Sequence, residues 1–327
     1  MRFAVVGAGA IGAYVGAMLL EGGSEVVLVA RGEHLAAIRR DGLRVLSERG
    51  DVAVAVQASD DLATIAGADV VIVALKAYSI PAIAPAIGEL LAPGAATIWA
   101  QNGIPWWYFR DHGGELDGLA LDAVDPGGVI AAAIPPGSAI GTVVYCSAEI
   151  VEPGVVRHVE GTRFTLGEPD GSRSERCEAI SEAFRAGGLR APVVEHVRTE
   201  IWLKLFGNAT FNPVSALTGA TLRQFGDLAE MRTLMLEAFG EIATVARALE
   251  AEPAVSLERR LEGAIEVGDH KTSMLQDLEA GKPLEYQCMT GAIIEIAGRL
   301  GIDVPRVEAI HACVALLDHR VRAVAAS

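Results

Sequence analysis

Cysteine is scarce in this chain of 327 residues: four thiols, Cys146, Cys177, Cys288 and Cys313, with no C-x-x-C pair. That excludes a disulfide framework, and seven histidines without an H-E-x-x-H run provide no zinc pattern, so no metal is expected. A reducing, cytoplasmic setting fits best. Basic charge is also short, 27 Lys and Arg against 42 Asp and Glu, giving a formal charge of −15 with no basic tract to offset it. Such a surface repels nucleic acid and anionic membrane, so neither is expected as a partner, and an anionic small molecule would need cations placed locally. An uncharged run near the start, Phe3 to Leu20, has the length of a signal peptide or membrane span. Its four glycines, Gly7, Gly9, Gly12 and Gly16, argue instead for a buried strand and helix joined by a tight turn, because an interior helical glycine costs ~1 kcal/mol relative to alanine.

A length of 327 at ~150 residues per domain predicts two domains. The first half alternates short apolar runs with helix-like stretches, the pattern of a parallel sheet covered by helices. Strands are expected at Phe3–Val6, Glu25–Ala30, Asp69–Leu75 and Thr97–Ala100, with helices near Ile11–Leu20, Glu33–Arg40 and Ile80–Leu91. Thr142–Ser147, Val155–Val159 and Phe164–Gly167 read as antiparallel strands finishing the sheet. After His196 amphipathic stretches follow around Glu200–Thr210, Leu228–Leu249, Ala254–Gly268, Leu284–Leu300 and Val307–Arg322. The fold class expected is therefore α/β, a doubly wound sheet in residues 1–195 followed by an all-helical domain in residues 196–327. Asp111–Gly128, with clustered Gly and Asp, is the expected loose segment.

Gly7-Ala8-Gly9-Ala10-Ile11-Gly12 follows the first strand and opens the first helix, the context in which G-x-G-x-x-G signals dinucleotide binding. Gly7 permits the turn, Gly9 admits a pyrophosphate to the backbone, and Gly12 allows close helix–strand approach, while the helix N-terminus offers free N–H groups. The second strand ends Val29-Ala30-Arg31, and a basic residue there accommodates a 2′-phosphate, which points to NADPH/NADP+. Glu33, two residues on, is placed to take a ribose hydroxyl instead, and Arg31 taken alone is equally a solvated loop charge. Lys76, beyond the third strand, is either a second phosphate contact or a helix-flanking cation.

Lys204 and Asn208 lie four apart on one helical face among apolar neighbours. The lysine is either an edge residue reaching water or a charge held in a site. Ser273-Met274-Leu275-Gln276-Asp277, followed by Glu285, brings a hydroxyl and a carboxylate into an apolar setting, where the plain roles are helix cap and helix start.

Taken together these residues resemble the ketopantoate reductase family, whose fold is a Rossmann domain followed by a helical one. The likeness runs through Gly7–Gly12 with Arg31, Leu75-Lys76-Ala77, Gln101-Asn102-Gly103, Glu200-x-Trp202-x-Lys204-x-x-x-Asn208-x-x-x-Asn212-Pro213, and Ser273–Asp277 leading to Glu285. The resemblance implies NADPH-dependent reduction of 2-dehydropantoate in pantothenate biosynthesis, with a small 2-oxo acid as substrate. It implies Lys204 as the catalytic lysine at the carbonyl oxygen and Glu285 as its support. Asn102, Asn208, Asn212 and Ser273 are then donors to substrate or cofactor, and Arg31 with Lys76 holds the 2′-phosphate. A homodimer stays open.

Departures fall at His270, where the family often has Asn, and at Gln287 and Thr290 within Glu285–Gly291. The aromatic run Trp106-Trp107-Tyr108-Phe109 is either core or a pocket wall. These features motivate an alternative, a 2-hydroxy acid dehydrogenase of the same fold acting on another, aromatic, 2-oxo acid. A β-hydroxyacid dehydrogenase ranks behind it, lacking the glycine-rich lead-in before its lysine. A non-catalytic NADPH-binding sensor is the alternative from another class, and retention of Lys204 and Glu285 speaks against it.

Overall fold

The computed structural model describes residues 1–325 and divides them into two compact units. One comprises Met1–Gln101, Trp106–Ala120 and Gly127–Val197; the other comprises Asn102–Pro105, Leu121–Pro126 and the chain from Arg198 on.

The first unit is built on a nine-stranded sheet. Its strands are β1 (Arg2–Val6), β2 (Glu25–Val29), β3 (Leu43–Leu46), β4 (Val52–Val54), β5 (Gln57–Ser59), β6 (Val70–Val73), β7 (Ala96–Trp99), β8 (Ala139–Glu152) and β9 (Val155–Gly167). Helices α1 (Ala10–Glu21), α2 (Gly32–Asp41), α3 (Ile80–Leu90), α4 (Val129–Ala133) and α5 (Glu175–Ala186) accompany them. The lateral order is β4-β3-β9-β8-β7-β6-β1-β2-β5, and the run from β5 to β8 is parallel throughout. Counted along the chain, those parallel strands are ordered 3-2-1-4-5-6, the doubly wound arrangement with its switch between β1 and β6. Right-handed crossovers running away from that switch in opposite directions put α1 and α3 on opposite faces. Phe3–Val6 are accordingly 0–1% exposed, as a strand covered on both sides must be.

Several elements go beyond the sequence reading. β3, β4 and β5 are short, and each carries exposed or half-buried positions that break an apolar run. The two strands expected at Val155–Val159 and Phe164–Gly167 are one strand, β9, paired antiparallel to β8; a register shift between Tyr145 and Ser147, opposite Glu160–Arg163, absorbs the glycine between them. α5 buries Cys177, Ile180, Ser181 and Phe184, and its N-cap Ser174 Oγ accepts from Cys177 N at 3.1 Å. Phe184 meets Phe3 and Phe164 edge-on at 6.2 and 5.5 Å.

The second unit is helical: α6 (Val197–Asn208, its first residue counted with the sheet unit), α7 (Phe211–Thr218), α8 (Ala229–Ala248), α9 (Leu257–Glu266), α10 (Ser273–Glu279), α11 (Ala292–Leu300) and α12 (Pro305–Ala325). Pro213 explains the break between α6 and α7. It cannot donate to a carbonyl four residues back, and it is tolerated only in the first turn of a new helix. α7 packs against α10 and α12, and Phe211 closes edge-on to Phe225 and Phe239 at 5.1 and 5.5 Å. The helix expected from Leu284 begins only at Gln287, with a π-helical turn, Gln287–Gly291, that runs into α11. Among the described residues no helix is long and apolar enough to cross a membrane.

Candidate active site

Val29, Val6, Val73 and Trp99 are successive register partners across β2, β1, β6 and β7. The chain therefore leaves the carboxyl edge of four adjacent parallel strands at one level, at spacings of about 4.8 Å. From that edge emerge Ala30-Arg31, Gly7 to Gly12, Ala74 to Lys76, and Ala100-Gln101. This is the place where open α/β sheets bind ligands.

The three glycines do distinct work. Gly7 has φ +95°, and a Cβ there would stand 2.6 Å from Leu75 Cδ2. A Cβ on Gly12 would lie 2.2 Å from Gly7 O, so α1 can approach the turn only without one. Around Gly9, by contrast, a Cβ would meet nothing within 4 Å. The N–H groups of Gly7 and Ala8 donate to Val29 O at 3.0 Å each, and helical bonding begins with Ala13 N donating to Gly9 O at 2.8 Å. The amides of Gly9, Ala10, Ile11 and Gly12 therefore precede any intrahelical acceptor, and Gly9 brings no side-chain cap. An open space before a helix N-terminus fits a dinucleotide pyrophosphate.

Arg31 is the N-cap of α2, exposed, and pairs with no carboxylate among the described residues. Lys76 is half-buried and precedes the short turn Ala77–Ser79. Gln101, quoted in the motif but given no role from sequence, has a buried Oε1 with no donor among the described residues.

In the helical unit, Lys204 and Asn208 are both half-buried and one turn apart on α6, and Asn208 Nδ2 is buried without an acceptor among the described residues. Asn212 is the second residue of α7, 7% exposed, and its Nδ2 donates to Ser273 Oγ at 3.4 Å. The cap of α10 is Thr272, whose Oγ1 accepts from Leu275 N, so Ser273 is not the cap considered from sequence and its exposed hydroxyl faces Asn212 instead.

Glu285, 8% exposed, lies before the π-turn. That turn also receives Asn102's segment. Ile104 N donates to Cys288 O at 2.8 Å, and a Cβ on Gly103 (φ +82°) would come within 2.2 Å of the same oxygen. Asn102 and Glu285 are thus tethered to one short stretch of backbone. The segment expected to be loose is tied too, since the amides of Asp122 and Ala123 donate to the Glu295 carboxylate at 3.0 and 2.9 Å.

The departures have local partners. Thr290 Oγ1 lies 2.9 Å from His311 Nδ1, and burial holds the His311 imidazole below the ordinary histidine range. His270 accepts from Leu222 N through its carbonyl. The aromatic run is core: Trp106, Trp107, Tyr108 and Phe109 are 0–6% exposed, Trp106 stands edge-on to Trp99 at 5.7 Å, and Trp107 closes against Gly141.

Comparison with known proteins agrees with this arrangement. Residues 3–108 match the family model described as Ketopantoate reductase PanE/ApbA, and residues 196–318 match Ketopantoate reductase PanE/ApbA C terminal. A 2-dehydropantoate 2-reductase from Mesorhizobium japonicum is 43% identical over 96% of this chain and 97% of its own length. A crystal structure from Ralstonia solanacearum, provisionally named a ketopantoate reductase, superposes with a TM-score of 0.92 at 38% identity over 98% of both chains. D-mandelate dehydrogenase, solved with NADH and anilino(oxo)acetate, superposes at 0.82 with 20% identity over 98% of this chain and 100% of its own, a likeness of fold alone.

Proposed function

The chain belongs to the ketopantoate reductase family, and from that premise we propose that it reduces 2-dehydropantoate to pantoate, a step of pantothenate biosynthesis, with NADPH as its cofactor. In this reading Gly7–Gly12 and the α1 N-terminus hold the pyrophosphate, and Arg31 with Lys76 holds the 2′-phosphate. When bound, the nicotinamide supplies a hydride to the keto carbon. Lys204 offers its ammonium to the carbonyl oxygen, stabilises negative charge as it develops there and delivers the proton that completes the alcohol. Glu285 keeps the lysine charged and oriented. Asn102, Asn208, Asn212 and Ser273 supply neutral donors for the substrate carboxylate and hydroxyl, which a chain of charge −15 needs because long-range attraction is missing.

The observation that carries the proposal is the buried Asn208 amide, without an acceptor among the described residues, one turn from Lys204. A buried donor without a partner costs ~1–3 kcal/mol, a cost that a ligand acceptor removes. The aromatic-substrate alternative loses its main motive, because Trp106 and Trp107 are buried in the sheet unit.

The test is NADPH oxidation against 2-oxo acids of graded size. 2-Dehydropantoate should give the highest kcat/KM. An aromatic 2-oxo acid turned over at least tenfold more efficiently, ~1.4 kcal/mol in the transition state, overturns the substrate assignment.

A further inference from the structure

Residues 282–286, which include Glu285, belong to no helix or strand; backbone bonds hold their two ends, at Lys282 and Tyr286, and side-chain contacts add to them. Those contacts come from one helix on either side of Glu285. α12 carries His311, Asp318 and Arg322 at intervals of seven and four residues, which lie on one helical face. Asp318, 3% exposed, accepts Leu284 N on Oδ1 at 2.7 Å, the peptide N–H immediately before Glu285, and its Oδ2 receives Arg322 Nε at 2.6 Å. Beyond Glu285, Thr290 is fully buried and gives its only hydroxyl proton to Tyr286 O at 3.1 Å. The same hydroxyl oxygen lies 2.9 Å from His311 Nδ1, so Thr290 links Tyr286 O to α12. The Tyr286 ring lies 5.2 Å from the same imidazole.

Resting on the reading that Glu285 supports Lys204, we propose that Asp318 and Thr290 are positioning residues for this reaction. Through them α12 clamps the backbone on both sides of Glu285 and fixes where its carboxylate points. The polar atoms of both are engaged with Leu284, Arg322, Tyr286 and His311, and their effect passes through Glu285. Thr290 thereby gains a role as a departure from the family pattern: its hydroxyl joins Tyr286 O to His311.

The experiment is a double-mutant cycle on the full chain, measuring kcat and KM with 2-dehydropantoate and NADPH affinity by fluorescence titration. Thr290→Val keeps the volume and removes the hydroxyl, Thr290→Ser keeps the hydroxyl, and Asp318→Ala removes the acceptor for Leu284. Thr290→Val and Asp318→Ala should each lower kcat about fivefold or more without weakening NADPH binding, and Thr290→Ser should stay within about twofold of the parent. In a Glu285→Gln background the same two substitutions should cost less than about twofold further, because the group they orient is already gone. Equal losses in both backgrounds, or parent-like kcat in Thr290→Val, overturn the proposal. If Asp318→Ala does not fold, the Thr290 pair decides alone. Full activity in Glu285→Gln itself overturns the underlying reading of Glu285, an outcome distinct from failure of the clamp.

Discussion

Lys204 and Arg31 are both cations in an acidic chain, yet the proposed function gives them different tasks. Lys204 is half-buried on α6, and in the proposed mechanism its charge is needed chiefly as the oxyanion forms. Lys204→Ala should lower kcat ~10²-fold or more with the NADPH dissociation constant nearly unchanged; a loss confined to KM would make it a substrate anchor instead. Arg31 is exposed and without a carboxylate partner among the described residues, so its guanidinium is available to a phosphate. Arg31→Ala should remove ~1.5–3 kcal/mol of preference, seen as a fall of about tenfold or more in the ratio of kcat/KM for NADPH to that for NADH. An unchanged ratio counts against the 2′-phosphate role. At this scale the motif residues are legible because each chemistry restricts residue type and spacing. The pairs that span distant segments, such as Leu284 with Asp318 or Asn212 with Ser273, are not, since no local pattern announces a partner 34 or 61 residues away. The choice of Thr272 over Ser273 as cap was equally hidden, because either hydroxyl suits the position.

Among the elements, the start of α1 gives the sharpest contrast between structural and binding roles. Gly12→Ala would press a methyl against a backbone oxygen that no rotamer change can move, so it should destabilise the apo protein by ~1–3 kcal/mol in chemical denaturation and weaken NADPH binding as well. Gly9→Ala meets nothing in the protein; apo stability should be kept while NADPH affinity drops about tenfold or more, read by titration. Unaltered affinity in Gly9→Ala would show that the open space is not the pyrophosphate cradle. The same contrast explains which elements were readable. β1, β2, β6 and β7 are continuous apolar runs because both faces are covered, and they stand out in the sequence. β3 to β5 have three or four residues each, too few for a period to show. α5 did carry an i, i+3, i+4, i+7 apolar stripe, but two of its positions are Cys177 and Ser181, and they weaken it.

For the whole molecule, burial sets the response to pH and to thiol reagents. Cys177 is fully buried, and desolvation pushes its thiol up to about 12, whereas an unfolded cysteine ionises near ~8.5. Above that pH the unfolded chain releases a proton that the folded one retains, so stability falls as pH rises from about 8.5 towards 12; Cys177→Ala should flatten that alkaline limb in denaturation curves taken at several pH values. In the native protein a thiol reagent should label the exposed Cys313 first and reach Cys177 and Cys288 only on unfolding, as peptide mapping would show. The alternation of the chain between its two units also bears on how such proteins can be recombined. Four residues holding Gly103 and six holding Asp122 lie far upstream of Arg198, yet they are built into the helical unit through Cys288 and Glu295. A crossover between distant parents at 197/198 therefore inherits a helical unit from one parent and two of its pieces from the other. Chimeras joined there should fold poorly, and transplanting 102–105 and 121–126 along with the C-terminal part should restore them, so that heredity at this locus favours the exchange of the whole chain over its halves.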